Sequence, residues 1–255
     1  MRRLKTIIGV ALFFVVWEAI ALSGLAPRDY FPTVQTIGRA LLRMAGTTRF
    51  WSNVAATCLR LVSGFAIAIA LGLALAFLAA KFRVFRQMLE PMVEILRVLP
   101  PPALAPIAIY ALGLGPRMFL FIIVNAALWP IYLSATNALM NVEPLQLLSG
   151  RAYGYSPLEI VFVVQFPAAL PEILTGVRVA AGFALLATIA AEMLAGTNGI
   201  GYQLYDAGFS LRTAQMFALM FTIGLLGVCI QAMLGLSRRF LISWHTALAG
   251  TGREA

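Results

Sequence analysis

Charge is scarce in this chain. Asp, Glu, Lys and Arg make up only 11% of its 255 residues, against roughly a quarter in soluble domains. Apolar residues fill the space, at 61%. Most of the surface must therefore face lipid or other apolar helices. Histidine occurs once, as His245, and cysteine twice, as Cys58 and Cys229. The cysteines are far apart in apolar runs, so no metal-ligand spacing exists, and both read as inert packing residues. No phosphate loop of the form GxxxxGK[ST] occurs, and no glycine-rich turn follows a strand pattern. No Ser/His/Asp set or carboxylate pair stands at a useful spacing. These absences argue against an enzyme and against a cofactor bound by this chain. Uphill movement of a solute would need energy from a partner or an ion gradient. The formal charge of +9 is scattered at the ends of apolar runs. That pattern reads as topology signals and anionic-lipid contact, not as a nucleic-acid-binding face.

Long apolar runs are what the chain has in quantity. A run of about 20 residues crosses a bilayer as a helix. Six are predicted: Thr6–Gly24, Val54–Ala80, Leu99–Leu114, Phe119–Met140, Val177–Ala195 and Ala214–Leu236. The third is short and contains Pro100, Pro101, Pro102 and Pro106, so it should be irregular and packed inside protein. The prediction is an all-α polytopic membrane protein. Basic residues orient it. With the N-terminus inside, Arg2, Arg3, Lys5, Lys81, Arg83, Arg86, Arg97, Arg151, Arg178, Arg238, Arg239 and Arg253 are cytoplasmic. Arg28, Arg39, Arg43, Arg49, Arg60, Arg117 and Arg212 form the smaller outer set, with those around Arg28–Arg60 placed at the headgroups. Both termini are then cytoplasmic.

The first run also reads as a signal peptide, with basic residues before it and Ala21-Leu22-Ser23 near its end. Its bilayer length and the spans that follow favour an uncleaved helix. Glu18 inside it is costly at membrane depth and is read as facing other helices or the outer interface. After Phe31-Pro32, Thr33 can cap a helix over Val34–Met44. Val34, Ile37, Leu41, Leu42 and Met44 form its apolar stripe, with Arg39 and Arg43 opposite, as in a helix lying in the outer interface.

The segment between the fourth and fifth spans is patterned differently. Glu143 and Pro144 mark a helix start. Leu145–Tyr153 can form a short helix, which Gly154 ends in the left-handed conformation. Ser156, Pro157 and Glu159 form a capping box for a second helix. Pro167 and Pro171 should stop and bend it. The product is a helix–glycine–helix elbow beneath the membrane.

Gly154, nine residues, then Val164-Gln165-Phe166-Pro167 resembles the cytoplasmic signature loop of permease subunits of bacterial ABC importers. That loop reads Glu-Ala-Ala, three residues, Gly, nine residues, Ile, any residue, Leu-Pro. Here Leu148-Ser149-Gly150 stands at Glu-Ala-Ala, so the acid is absent. Phe31-Pro32, then Arg60, Gly64-Phe65 and Leu71-Gly72, are similar to permeases serving sulfonate, taurine, nitrate and pyrimidine-precursor importers. So are Leu96-Arg97-Val98-Leu99-Pro100, Ala103 and Pro106, Gly113-Leu114-Gly115, Pro167–Arg178, Glu192-Met193 and Gly199-Ile200-Gly201-Tyr202.

The resemblance implies a type I ABC importer permease in a bacterial inner membrane. It implies a first helix and outer interfacial helix over 1–53, a transmembrane core over 54–240 with the coupling loop at 141–175, and a cytoplasmic tail over 241–255. The coupling helix would dock on the ATPase through Glu143, Leu145, Leu148, Gly150, Arg151, Tyr153, Gly154 and Pro167. Partners would be two copies of the ATP-binding subunit, which holds ATP and Mg, a second copy of the permease and a substrate-binding protein. Glu192, near the outer end of the fifth span, and its neighbour Met193 are the candidates for a pathway or gate. An ion pair of Glu192 with Arg60 or Arg117 is the structural alternative. Tyr110, Trp129 and Tyr132 are aromatic pathway candidates. Two other readings stand beside this one: an ion-coupled secondary transporter, which needs inverted repeats and buried acids, and a membrane sensor or assembly protein.

Overall fold

A computed structural model describes the backbone of residues 2–24, 27 and 30–241, and side chains for 8–24, 27 and 30–236. Arg28, the tail after Leu241 with His245 and Arg253, and the side chains of Arg2, Arg3, Lys5, Arg238 and Arg239 lie outside the described residues. Among those described, all regular structure is helical. The helices are α1 (Arg2–Leu22), α2 (Val34–Ala45), α3 (Thr48–Lys81), α4 (Arg83–Val98), α5 (Ala105–Leu112) and α6 (Pro116–Met140). They continue as α7 (Pro144–Ala152), α8 (Pro157–Ala195), α9 (Ile200–Phe209) and α10 (Thr213–Leu241).

Length and hydropathy bear out four of the predicted spans directly. Among the described residues α3, α6, α8 and α10 are long and apolar enough to cross a membrane, and a bent pair brings the number to five. That pair is α4 and the Pro101–Leu112 segment, meeting at 102°. Its second half lies in the predicted third span, Leu99–Leu114, whereas its first half, α4, lies outside every predicted span. The prolines explain the bend: Pro100, Pro101 and Pro102 cannot donate backbone hydrogen bonds, and the residue before a proline avoids the helical region. A single 3-10 turn, Pro101–Leu104, carries the chain into α5. The helix α1 runs over 21 residues, of which the apolar part Ile8–Leu22 has described side chains.

The predicted fifth span starts 20 residues too late, at Val177 instead of Pro157. Pro167 and Pro171 neither stop nor end this helix. Pro167 falls in the first turn after a wide π-helical stretch, Ile160–Gln165, where its missing N–H costs little. Around Pro171, Thr175 Oγ1 donates to the Pro171 carbonyl at 3.0 Å, and Ser134 Oγ donates to the Glu172 carbonyl at 3.0 Å. These hydroxyls add side-chain hydrogen bonds to the helix just after Pro171.

The contacts divide the chain into two compact units. One holds residues 1–58 and 192–226, the other 59–191 and 227–255. In the first, α1 docks on the start of α2. Trp17 stacks on Phe31 at 4.5 Å, and its Nε1 donates to the Pro32 carbonyl at 3.1 Å. The Glu18 carboxylate accepts from the Val34 N–H at 2.7 Å, beside the Thr33 cap. Glu18 therefore holds a helix start, a structural role of the kind predicted for it.

In the second unit α6 is the core, with Met118, Ile122, Ile123, Ile131 and Leu139 fully buried. Glycines let other helices approach it closely. A Cβ at Gly64 would stand 2.6 Å from Ile123 Cγ2, and one at Gly72 would stand 2.9 Å from Ile131 Cγ2. These are the glycines of the Gly64-Phe65 and Leu71-Gly72 motifs.

Candidate functional site

The elbow is assembled from local signals. Pro144 occupies the first position of α7, with Glu143 as the preceding cap residue. At the far end Gly154 takes φ +82°. The Tyr155 N–H donates to the Gly150 carbonyl at 3.2 Å, and the Gly154 N–H to the Arg151 carbonyl at 3.0 Å. These two bonds are the Schellman pattern, which satisfies carbonyls left over at the helix end. Ser156 and Glu159 then form the predicted capping box: the Ser156 N–H donates to Glu159 Oε2 at 2.7 Å, and the Glu159 N–H donates to Ser156 Oγ at 3.3 Å.

Packing fixes the elbow to the second unit. Gly150 is buried, and a Cβ there would lie 3.2 Å from Val164 Cγ2. Gln165 Nε2 donates to the Leu139 carbonyl at 2.7 Å, tying the π stretch to the end of α6. Phe162 and Phe166 flank Phe77 of α3 at 6.2 and 5.6 Å. The remaining predicted residues point away. Leu145, Leu148 and Tyr153 are 66%, 56% and 82% exposed; Glu143, Arg151 and Gly154 are also exposed. Gly150 and the half-buried Pro167 belong to the inner, packed side. The predicted set therefore splits into an outward face and an inward support.

Glu192 and Met193 belong to the other unit. Glu192 is fully buried, and Met193 is half-buried beside it. The Glu192 carboxylate accepts from Thr57 Oγ1 at 3.0 and 2.9 Å and from the Gly201 N–H at 2.9 Å. Thr57 Oγ1 in turn accepts from the Ile200 N–H at 2.8 Å, and Asn53 Oδ1 accepts from the Gly199 N–H. Three successive N–H groups at the start of α9 are thus capped by three side chains from α3 and α8. A helix start carries partial positive charge and unpaired donors, so it is a suitable place for a buried carboxylate. Gly199, at φ +109°, has no room for a Cβ, which would collide with the Glu192 carboxyl group. This arrangement clamps α3, α8 and α9 together. Asn53 and Thr57 carried no motif of their own, and only their distance from Gly199–Gly201 in sequence hid them.

Arg60 lies over the Phe119 ring, 4.3 Å from its centroid, a cation–π contact. Of the aromatic pathway candidates, Trp129 and Tyr132 are buried while Tyr110 is exposed.

Comparison with known proteins places this geometry. The chain is 28% identical to the taurine transport system permease TauC of Escherichia coli, over 92% of this chain and 88% of that protein. It is 32% identical to an ABC transporter permease of Methanocaldococcus jannaschii, covering 87% and 84%. It is 29% identical to the nitrate import permease NrtB of Synechocystis, covering 89% and 85%. Among solved structures, a chain of the MetNI methionine ABC transporter, captured in inward-facing conformations, superposes with a TM-score of 0.58 at 20% identity, over 81% of this chain and 96% of that one. The type I ABC importer permease fold is therefore present, and the chain is a transport component, not an enzyme. The family described as binding-protein-dependent transport system inner membrane component matches residues 68–243, and this chain belongs to it.

Proposed function

We propose that this chain forms the translocation pathway of an ATP-driven importer for a small oxyanion of the sulfonate or nitrate kind. The transported class is drawn from the names of the taurine and nitrate relatives. The observation that carries the coupling role is the elbow: a short helix, braced from behind by Gly150, Gln165 and Phe77, with Leu145, Leu148 and Tyr153 exposed together. Large apolar side chains presented on a rigid support are suited to a hydrophobic groove in a partner. That partner is the ATP-binding subunit, which supplies ATP, Mg and hydrolysis. A solute-binding protein delivers the cargo. Closure of the ATPases pulls the elbows as rigid bodies, and the helices behind them switch between inward- and outward-open states.

Two copies of the permease complete the pathway. The charged helix α4 supports this, because Val84, Met88, Met92, Ile95 and Val98 recur at helical spacing along it and stand exposed. The assembly sits in the bacterial inner membrane with both termini in the cytoplasm. Glu192 holds the α9 start and is a positioning residue for the bundle. The test is reconstitution in proteoliposomes with the cognate ATPase and binding protein. Uptake of a small sulfonate, nitrate or a related anion should require ATP and all three components. Uptake by the permease alone, driven by an ion gradient, would overturn the proposal.

A further inference from the structure

We propose that a basic cavity in the first unit binds the headgroup of an anionic phospholipid. The cavity measures about 610 Å³, within the range of small-molecule sites. Arg39 and Arg43 of α2, Arg49 at the start of α3, and Asp206 and Arg212 around the end of α9 all line it. Arg212 pairs with Asp206. Among the described residues, Arg39, Arg43 and Arg49 have no carboxylate partner. Three guanidinium groups thus line one cavity without a paired carboxylate among the described residues. Arg39 and Arg43 are four residues apart on the same helix face, where like charges repel. An anion in the cavity relieves that repulsion and can take bidentate hydrogen bonds from the planar guanidinium forks.

Topology signalling does not explain these arginines. The 34-residue helix α3 is about 50 Å long at 1.5 Å per residue, so Arg49 and Lys81 lie at opposite membrane faces. Arg39, Arg43, Arg49 and Arg212 thus gather at the end of α3 where basic residues are least needed. Apolar side chains share the lining with the charge, among them Met44, Phe50, Leu211 and Leu219. Leu42, Trp51, Phe209 and Leu211 are exposed large apolar residues of α2, the α3 start and the α9 end. A free inorganic anion has no use for such neighbours. A phospholipid has, because its phosphate and its acyl chains occupy adjacent levels of the bilayer. Leu211 even holds a left-handed backbone, φ +54°, normally left to glycine.

The experiment uses the full chain in mixed micelles of phosphatidylglycerol and phosphatidylcholine. Lipid retained after transfer to neutral detergent is read by native mass spectrometry. The wild type should keep phosphatidylglycerol on the order of a hundredfold over phosphatidylcholine, since each of three basic residues near a lipid surface is worth about fivefold. The triple variant R39Q/R43Q/R49Q should fall to near parity. R43Q alone should lose about fivefold and guards against misfolding of the triple. R117Q, an exposed arginine outside the cavity, should match the wild type. Unchanged enrichment in both the single and triple variants would overturn the proposal. So would displacement of the lipid by low millimolar sulfate, which would assign the cavity to a soluble anion. Loss of solute-binding-protein docking with lipid retention intact would assign it to a protein surface and overturn it equally.

Discussion

The elbow and the Glu192 cluster meet the same structural demand in opposite ways. Each starts a helix just after a glycine with positive φ, Gly154 at +82° and Gly199 at +109°. In the elbow the helix start at Pro157 is capped from within, by Ser156 and Glu159. In the cluster the start of α9 is capped from afar: Asn53 and Thr57 lie 146 and 143 residues from the N–H groups they hold. The elbow keeps Leu145, Leu148 and Tyr153 exposed and takes its local shape from Gly154 and a short-range capping box. The cluster turns its polar groups inward onto the start of α9.

The largest effect should come from opening the clamp. Glu192→Ala removes the acceptor for the Thr57 hydroxyl and the Gly201 N–H in a fully buried site. The expected loss is about 3–5 kcal/mol, seen as early melting in fluorescence-detected size exclusion. Glu192→Gln keeps one acceptor and should lose roughly half as much. A wild-type melting profile for Glu192→Ala would mean the carboxylate is held there for transport, not for the fold, and the contrast with the elbow would fail.

Next comes the elbow's outward face. Tyr153→Asp places a charge where a desolvated groove is expected. It should weaken ATPase association by about 2 kcal/mol or more, measured by co-purification, while the melting profile stays unchanged because Tyr153 is exposed. Retention of the ATPase at wild-type stoichiometry would move the contact to Glu143, Arg151 or the second arm of the elbow.

Gly154→Val tests the turn between those two arms. A Cβ there meets nothing within 4 Å, so the effect is backbone strain alone, about 1–2 kcal/mol. Binding-protein-stimulated ATPase activity should drop, with membrane insertion intact. Full activity would show that the elbow tolerates a reshaped turn.

The smallest effect is expected for Leu148→Glu. Leu148 is 56% exposed, and Glu restores the acid of the signature loop. The stability change should stay within about 0.5 kcal/mol, and ATPase binding should hold or tighten. A clear loss of binding would show that this chain's groove partner is adapted to an apolar side chain.

Local chemistry made the elbow readable in advance. Pro144, Gly154 and the Ser156–Glu159 spacing act within one helical turn, so the sequence carries them whole. The Pro100–Pro102 break was legible for the same reason. Pro167 and Pro171 misled, because their effect depends on the π stretch before them. The gathering of Arg39, Arg43, Arg49 and Arg212 around one cavity was likewise hidden, since α2 and the end of α9 are separated by most of the chain.

By itself, the sequence determined the membrane-spanning helical class and the elbow, through composition and short-range spacing, and its motifs carried the resemblance to the family. Only the tertiary structure decided what Glu192 does. A buried carboxylate is costly in any sequence context, and whether it becomes a gate or a cap depends on which donors the fold brings to it. Here those donors are the Thr57 hydroxyl and the Gly201 N–H, and they make the Glu192 carboxylate part of the cap on α9.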